Sequence, residues 1–357
     1  MAELEQLLDR LAAFEPTGLP FLSLYVDMRP DNTGRPHWLA NVRKELGDRA
    51  RSYGGRTRAR AAYDADAERA LAWLTRAPAP STNAVVVFAC ESGDVFETAE
   101  LPVPLDVTDV AVGRRPHLYP LARLLDRYRR YAVVVTDTHL ARIFVVALGR
   151  IEARGQVENA KLKRTDVGGW SQARYQRHVD EHRAEHVREV VAALEQIVRE
   201  ERVDHVALAG NETSMALLRA HLTKPIAGLV TELPHMPVDA PDSRILRETL
   251  EILPREDARD DAERVARMYD AYRAGGLAIV GLAGTRAALE NGQVHELLLT
   301  ASPDRLEGAD GAAEADELVV KARQTDARVT FVEDPSLLAE AGGVGALLRF
   351  RLHRRVA

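Results

Sequence analysis

Cysteine is almost missing from this chain: Cys90 is the single one among 357 residues. That excludes an intramolecular disulfide and a thiolate-rich zinc site. Cys90 ends the apolar run 85–90, a setting that predicts inert strand packing. Long apolar runs are missing too, since none approaches the roughly 18–20 residues needed to span a bilayer. The opening residues Met1 to Glu5 carry no basic segment ahead of an apolar core, so the expectation is a cytoplasmic protein with no membrane partner. Positive charge is not in excess, because the net charge is −6. A protein that coats nucleic acid through a global positive field is thereby excluded, and any RNA contact must be local. No repeat of 20–50 residues is present. What remains is 46% hydrophobic and 29% charged, the composition of a globular protein, at a length that favours two or three domains.

Three segments follow from the pattern, with boundaries at 1–127, 128–262 and 263–357. In the first, Leu4, Leu7, Leu8 and Leu11 recur at helical spacing until Pro16 and Gly18. Residues 21–26 read as a strand, 36–76 as largely helical, and 84–89 as a strand after Pro78 and Pro80. A further apolar stretch, 101–112, is punctuated by prolines.

The second segment opens on two β-rich runs, 131–137 and 141–147, that predict an antiparallel hairpin. A third extended piece at 151–157 precedes a basic, glycine-containing loop and a long helix over 172–201. Val187, Val190, Val191, Leu194, Ile197 and Val198 form its apolar face. Residues 205–210 then predict a strand, 213–222 a helix and 226–230 one more strand. In the third segment, the charged run 255–267 predicts a solvated helix, and strand and helix signatures alternate to residue 332. The stretch 302–311 reads as a flexible loop. Gly342 and Gly343 turn the chain into a last apolar strand.

The stretch 168–178, Gly-Gly-Trp-Ser-Gln-Ala-Arg-Tyr-Gln-Arg-His, carries most of the functional information. Consecutive glycines permit close approach of backbone to another molecule. Ser171 is placed to cap the following helix, whose first amides are free to meet a phosphate or a developing negative charge. Lys161, Lys163, Arg164, Arg174, Arg177, Arg183 and Arg188 outnumber the four acids Asp166, Asp180, Glu181 and Glu185. A local positive patch of this kind suits an RNA backbone, and Trp170 adds an aromatic surface.

These residues, with the closing Gly-Gly-Val-Gly-Ala-Leu-Leu-Arg-Phe of 342–350, resemble the bacterial and archaeal relatives of the eukaryotic-type class-one release factors and Pelota, including the Vms-type peptidyl-tRNA hydrolases. The resemblance covers roughly residues 130–357. It implies an α/β protein of three domains, with a ribonuclease-H-like middle domain presenting the Gly-Gly loop and a Pelota-type α-β-α domain at the end. It further implies a factor that binds the ribosome, at the large subunit and the peptidyl-tRNA, and hydrolyses the ester in ribosome rescue; the first segment matches no stop-codon reader, so codon-independent action is expected. Gly168 and Gly169 would shape the loop, Gln172 would sit at the ester, and Lys161, Lys163, Arg164, Trp170, Arg174 and Arg177 would contact RNA. No cofactor or metal is called for, and a translational GTPase is a further partner of the group. The family motif has Gln directly after two glycines, whereas here Trp170 intervenes and Gln172 is the first glutamine, with Gln176 one turn on. The alternative is a ribosome-binding hibernation or quality-control factor that occupies the site without cutting.

Other constellations compete. His182 and His186, with Glu185 between them, match the H-x-x-E-H spacing of inverted zinc peptidases, and His178 extends the row. The third ligand is not identified by the sequence. Gly210-Asn211-Glu212-Thr213 lies at a strand-to-helix turn without a Walker lysine, which predicts an N-cap. Asp137 ends its strand where a ribonuclease-H carboxylate would lie, with no clustered acidic partners. Trp38, Arg43, Lys44, Arg49 and Arg51 read first as a solvated helix face, with RNA contact as the alternative.

Overall fold

A computed structural model describes residues 1–30, 37–55, 57–76, 78–79, 82–158, 172–203, 205–308 and 310–351; of 158, 172–180 and 254–257 only the backbone is described. The described residues of Met1–Arg127 and Ala258–Ala357 form one compact unit, and those of Tyr128–Asp257 form a second. The described residues form three sheets, so the architecture is mixed α/β.

The first segment runs α1 (Ala2–Ala12), β1 (Phe21–Asp27), α2 (Trp38–Arg51), α3 (Arg58–Leu74), β2 (Ala84–Cys90), β3 (Val95–Leu101), β4 (Asp109–Gly113) and α4 (Tyr119–Arg127). Its sheet has the order β3-β2-β1-β4 and is antiparallel throughout. Every residue of β2 is buried, as a β-branched run in a central strand should be. Alternate residues Leu22, Leu24 and Val26 join Val85, Val87 and Ala89 on one face, where Val42, Leu46, Tyr63 and Leu74 of α2 and α3 cover them. Cys90 lies wholly buried in this strand. The apolar stretch expected at 101–112 is in fact divided: β3 ends at Leu101 and β4 starts at Asp109, with Pro102 and Pro104 between them.

The second unit contains β5 (Tyr131–Thr136), β6 (Leu140–Ala147), β7 (Arg150–Glu158), α5 (Gln172–Glu200), β8 (Val206–Gly210), α6 (Glu212–His221), α7 (Lys224–Ala227), β9 (Val230–Glu232) and the start of α8 (Asp242–Arg273). Its sheet order is β7-β6-β5-β8-β9. A three-strand antiparallel meander is followed by two strands parallel to β5, which is the ribonuclease-H-like arrangement. The predicted stripe of α5 is what buries it: Val187, Val190, Val191 and Leu194 pack on Ala132, Val134, Ile143 and Leu208. Each such side chain contributes about 1.5–3 kcal/mol on burial. The opposite face, with Val133, Val135, Phe144 and Ala207, is covered by Ile245 and Leu253 of α8 together with Leu233 and Met236.

The strand expected at 226–230 is mostly helix. Thr223 is the N-cap residue and Pro225 sits in the first turn, where its fixed φ favours a helix, so α7 occupies 224–227 and the strand starts only at Val230.

The third segment takes α8 onward through β10 (Ala278–Val280), α9 (Leu282–Glu290), β11 (Val294–Thr300), α10 (Gly311–Gln324), β12 (Arg328–Val332) and β13 (Val344–Leu348). The sheet order is β10-β13-β11-β12, with β11 and β12 parallel and β13 antiparallel to both its neighbours. The charged run 255–267 is less solvated than its composition suggests. Asp261 and Val265 are buried, and Val265 and Met268 pack on Leu298 and Val332. The turn into β13 depends on glycine: Gly342 and Gly343 have φ of 61° and 85°, and a Cβ on Gly343 would lie 2.8 Å from the Arg305 carbonyl. The stretch 302–311 includes a single turn of 3-10 helix at Pro303–Arg305.

Candidate functional site

The loop singled out by sequence is framed by β7, which ends at Glu158, and α5, which begins at Gln172. Gly168, Gly169, Trp170, Lys161, Lys163 and Arg164 lie outside the described residues. Gln172, Arg174 and Arg177 stand in the first two turns of α5, and their side chains are likewise outside the described set.

Strand register fixes where that loop leaves the sheet. Thr136 pairs with Ala141 and with Gly210, and Leu140 pairs with Glu158. The carboxyl ends of β5, β7 and β8 therefore lie together, at the end of an open α/β sheet where ligands commonly bind. Close packing there needs Gly210, because a Cβ on it would stand 2.4 Å from the Thr136 carbonyl oxygen. The other polar groups at this end are committed to the fold. Asp137 Oδ1 accepts the His139 and Leu140 amides at 2.7 and 2.8 Å, an Asx turn that closes the β5–β6 connection. Asn211 Oδ1 accepts the Ser214 amide at 2.9 Å and caps α6, the role its position predicts. His235 Nδ1 lies 2.9 Å from the Gly210 carbonyl.

His186 is different. It is 1% exposed on α5, and among the described residues neither ring nitrogen has a hydrogen bond of normal geometry. Burial lowers its pKa, against the weaker opposing pull of Glu189, Asp137 and the Leu140 backbone, so the imidazole is held neutral. His182, one turn earlier, reaches Glu185 at 3.8 Å. Among the described residues no three His, Cys, Asp or Glu side chains are grouped to hold a metal.

On α2, Trp38 is partly buried against the first core, Arg49 Nε donates to the Val110 carbonyl at 3.1 Å, and Arg51 pairs with Asp48. Arg43 and Lys44 are exposed. The helix face is thus partly structural and partly solvated.

Sequence reasoning missed a charged junction in the first unit. His117 Nδ1 lies 2.5 Å from Asp316 Oδ2 and its Nε2 lies 3.3 Å from Asp109 Oδ2. Asp316 Oδ1 accepts the Leu118 and Tyr119 amides at 2.9 and 2.8 Å, so a residue of α10 caps α4. The Tyr25 hydroxyl donates to the His117 carbonyl at 2.5 Å, and the Tyr119 hydroxyl donates to the Thr300 carbonyl at 2.9 Å. Burial works against a charged imidazole, but the bonds to Asp109 and Asp316 outweigh it and push His117 up to about 9. The reciprocal bond from His117 holds Asp109 below its ordinary value. No local spacing signals this junction, since His117 and Asp316 are 199 positions apart.

Comparison with known proteins bears on the second unit. Residues 116–253 match the family model of bacterial archaeo-eukaryotic release factor family 10. A curated relative, the uncharacterized protein YocB of Bacillus subtilis (strain 168), is 26% identical over 153 residues, which is 40% of this chain. The match spans 58% of that relative's length. Among solved structures, an archaeal translation termination factor aligns over 98% of both chains at 20% identity and a TM-score of 0.28. A ribosome-bound archaeal Pelota aligns over 98% of this chain and 94% of its own at 16% identity and 0.45. The Pelota of Archaeoglobus fulgidus aligns over 75% and 79% at 15% identity and 0.36. These superpositions are too loose to carry function. The segment that holds both the meander and the Gly-Gly loop is, by its family match, similar to the archaeo-eukaryotic release factors of bacteria.

Proposed function

We propose that the protein acts at the ribosome as a codon-independent, release-factor-like factor that places the 168–172 loop at a peptidyl-tRNA ester. The observation that supports this reading most is the release-factor family match over 116–253, because it contains the loop, the two strands that frame its start and the helix that follows. In the proposed step the Gly168-Gly169 backbone approaches the 3′ end of the tRNA, the Gln172 backbone amide stabilises the departing 3′-oxygen, and the Gln172 side chain helps admit the water that attacks the ester carbonyl. Peptide acid and free tRNA are the products. Such chemistry rests on positioned donors and needs no charged nucleophile. Lys161, Lys163, Arg164, Arg174 and Arg177 neutralise phosphates, and Trp170 stacks on RNA.

Trp170 favours one second reading. It stands where the release-factor motif has glutamine, so the same loop would also suit a factor that occupies the peptidyl-transferase region without cutting. Stalled ribosomes carrying labelled peptidyl-tRNA separate the two. Hydrolysis predicts peptide release that falls at least tenfold, about 1.4 kcal/mol of barrier, in Gln172→Ala with ribosome binding retained. Stable binding without release selects occupancy. Co-sedimentation that is absent in the wild type overturns both, and co-sedimentation unchanged across a salt series in Arg174→Glu/Arg177→Glu removes the basic helix start as the RNA contact.

A further inference from the structure

In the first unit, a cleft of about 530 Å³ lies between the 113–116 loop and one face of α10. That volume falls in the range of small-molecule sites, roughly 300–1,000 Å³. Its apolar surface comes from Pro16, Pro116, Ala313 and Val320.

The charges around the cleft are unequal in what they have to do. Asp316 is fully committed, with one oxygen on His117 and the other on the Leu118 and Tyr119 amides. Glu317 is shared by Arg286 at 3.3 Å and Lys321 at 3.9 Å, and Lys321 also has Glu290 at 3.2 Å. The two arginines are not matched in this way. Arg115 Nη1 donates to the neutral carbonyl of Phe14 at 3.0 Å and, among the described residues, meets no carboxylate. Arg114, exposed at the rim, has neither a hydrogen bond nor an ion pair among the described residues. The acids of the cleft are neutralised and two of its cations are left over.

We propose that this cleft binds a small organic phosphate, with Arg114 and Arg115 taking the phosphate and Pro16, Pro116, Ala313 and Val320 taking the apolar body. Adjacent guanidinium groups match phosphate oxygens in a planar, multidentate way that single lysines do not. A carboxylate ligand would satisfy one arginine and leave the other; a phosphate dianion satisfies both. The ligand would bridge the first and third segments of the chain, which already meet at Asp316. The site is independent of the proposed action of the 168–172 loop.

Titration calorimetry of the full chain tests it, using the four ribonucleoside 5′-monophosphates, the parent nucleosides and inorganic phosphate as probes. At least one monophosphate binds with a stoichiometry of one and more tightly than its nucleoside or phosphate alone. Arg114→Glu/Arg115→Glu lowers that affinity at least tenfold, and Ala313→Glu, which places a carboxylate against the bound anion, lowers it as well. Both changes are at exposed positions, and an unchanged melting temperature establishes that the fold is intact. The proposal is overturned by the absence of saturable binding up to about 1 mM, by inorganic phosphate binding as tightly as any monophosphate, or by unchanged affinity in the double variant.

Discussion

His186 is fully buried and His117 largely so, yet their pKa values shift in opposite directions. His186 meets burial with no hydrogen bond of normal geometry to either nitrogen among the described residues, and its pKa falls. His117 meets burial with Asp109 and Asp316 on its two nitrogens, and it rises to about 9. The lesson is that burial sets the cost of a charge while bonded partners decide which way the pKa moves. One histidine is a cation that the first unit depends on, and the other is a neutral ring that the second unit must keep neutral.

The sharpest way to break the contrast is Asp316→Ala. The change leaves the His117 imidazolium with Asp109 alone and uncaps α4 at once, so the expected cost is about 2–4 kcal/mol, near the lower end for breaking a buried pair. Urea unfolding of the variant measures it, and a loss under about 1 kcal/mol would show that the junction is not a stabilising pair.

The pH profile is next in size. A folded pKa above the unfolded value of 6.5 makes the His117 contribution complete below pH 6.5 and lost as pH rises through about 9. The shift corresponds to roughly 3 kcal/mol. Stability of the wild type should therefore decline between pH 6.5 and 9 more steeply than that of His117→Gln, and parallel curves would count against the pair.

His186 has the opposite profile. Its lowered pKa leaves its contribution intact above the unfolded value of 6.5 and removes it as pH falls below that. His186→Leu discards two nitrogens that have no hydrogen bond of normal geometry among the described residues, so it should be neutral or stabilising at pH 7 and should unfold in acid at a lower pH than the wild type. An unchanged acid midpoint would mean that His186 does not report on this equilibrium.

The smallest effect compares caps. Asn211 caps α6 from the adjacent position, whereas Asp316 caps α4 from a distant part of the chain. Asn211→Ala should cost about 1 kcal/mol, below Asp316→Ala, because no ion pair is lost with the cap.

These contrasts also explain what the sequence made visible. The run 85–90 and the stripe Val187, Val190, Val191 and Leu194 are legible because burial imprints a local period on the chain. β3 carries Glu97 and Glu100 in a half-exposed strand, so its apolar signal is diluted. Residues 226–230 misled because an apolar run is ambiguous between helix and strand, and Pro225 decided the outcome. The Gly-Gly loop was readable only as a pattern of residue types. The His117 junction could not be read at all, since its partners come from β4 and α10 and meet only through tertiary packing.

The same separation sets an order of events during synthesis. The four strands of the first sheet are complete by Gly113, so that sheet can assemble early in elongation. The carboxylate that caps α4 belongs to residue 316, and the 199 positions between it and His117 take roughly 10–40 s to translate at 5–20 residues per second. For that interval the His117 ring lacks one of its two acids and the first amides of α4 lack their acceptor. The second unit is synthesised within the same window. The nascent chain therefore carries a finished sheet with an open joint, and the joint closes only when α10 has left the exit tunnel.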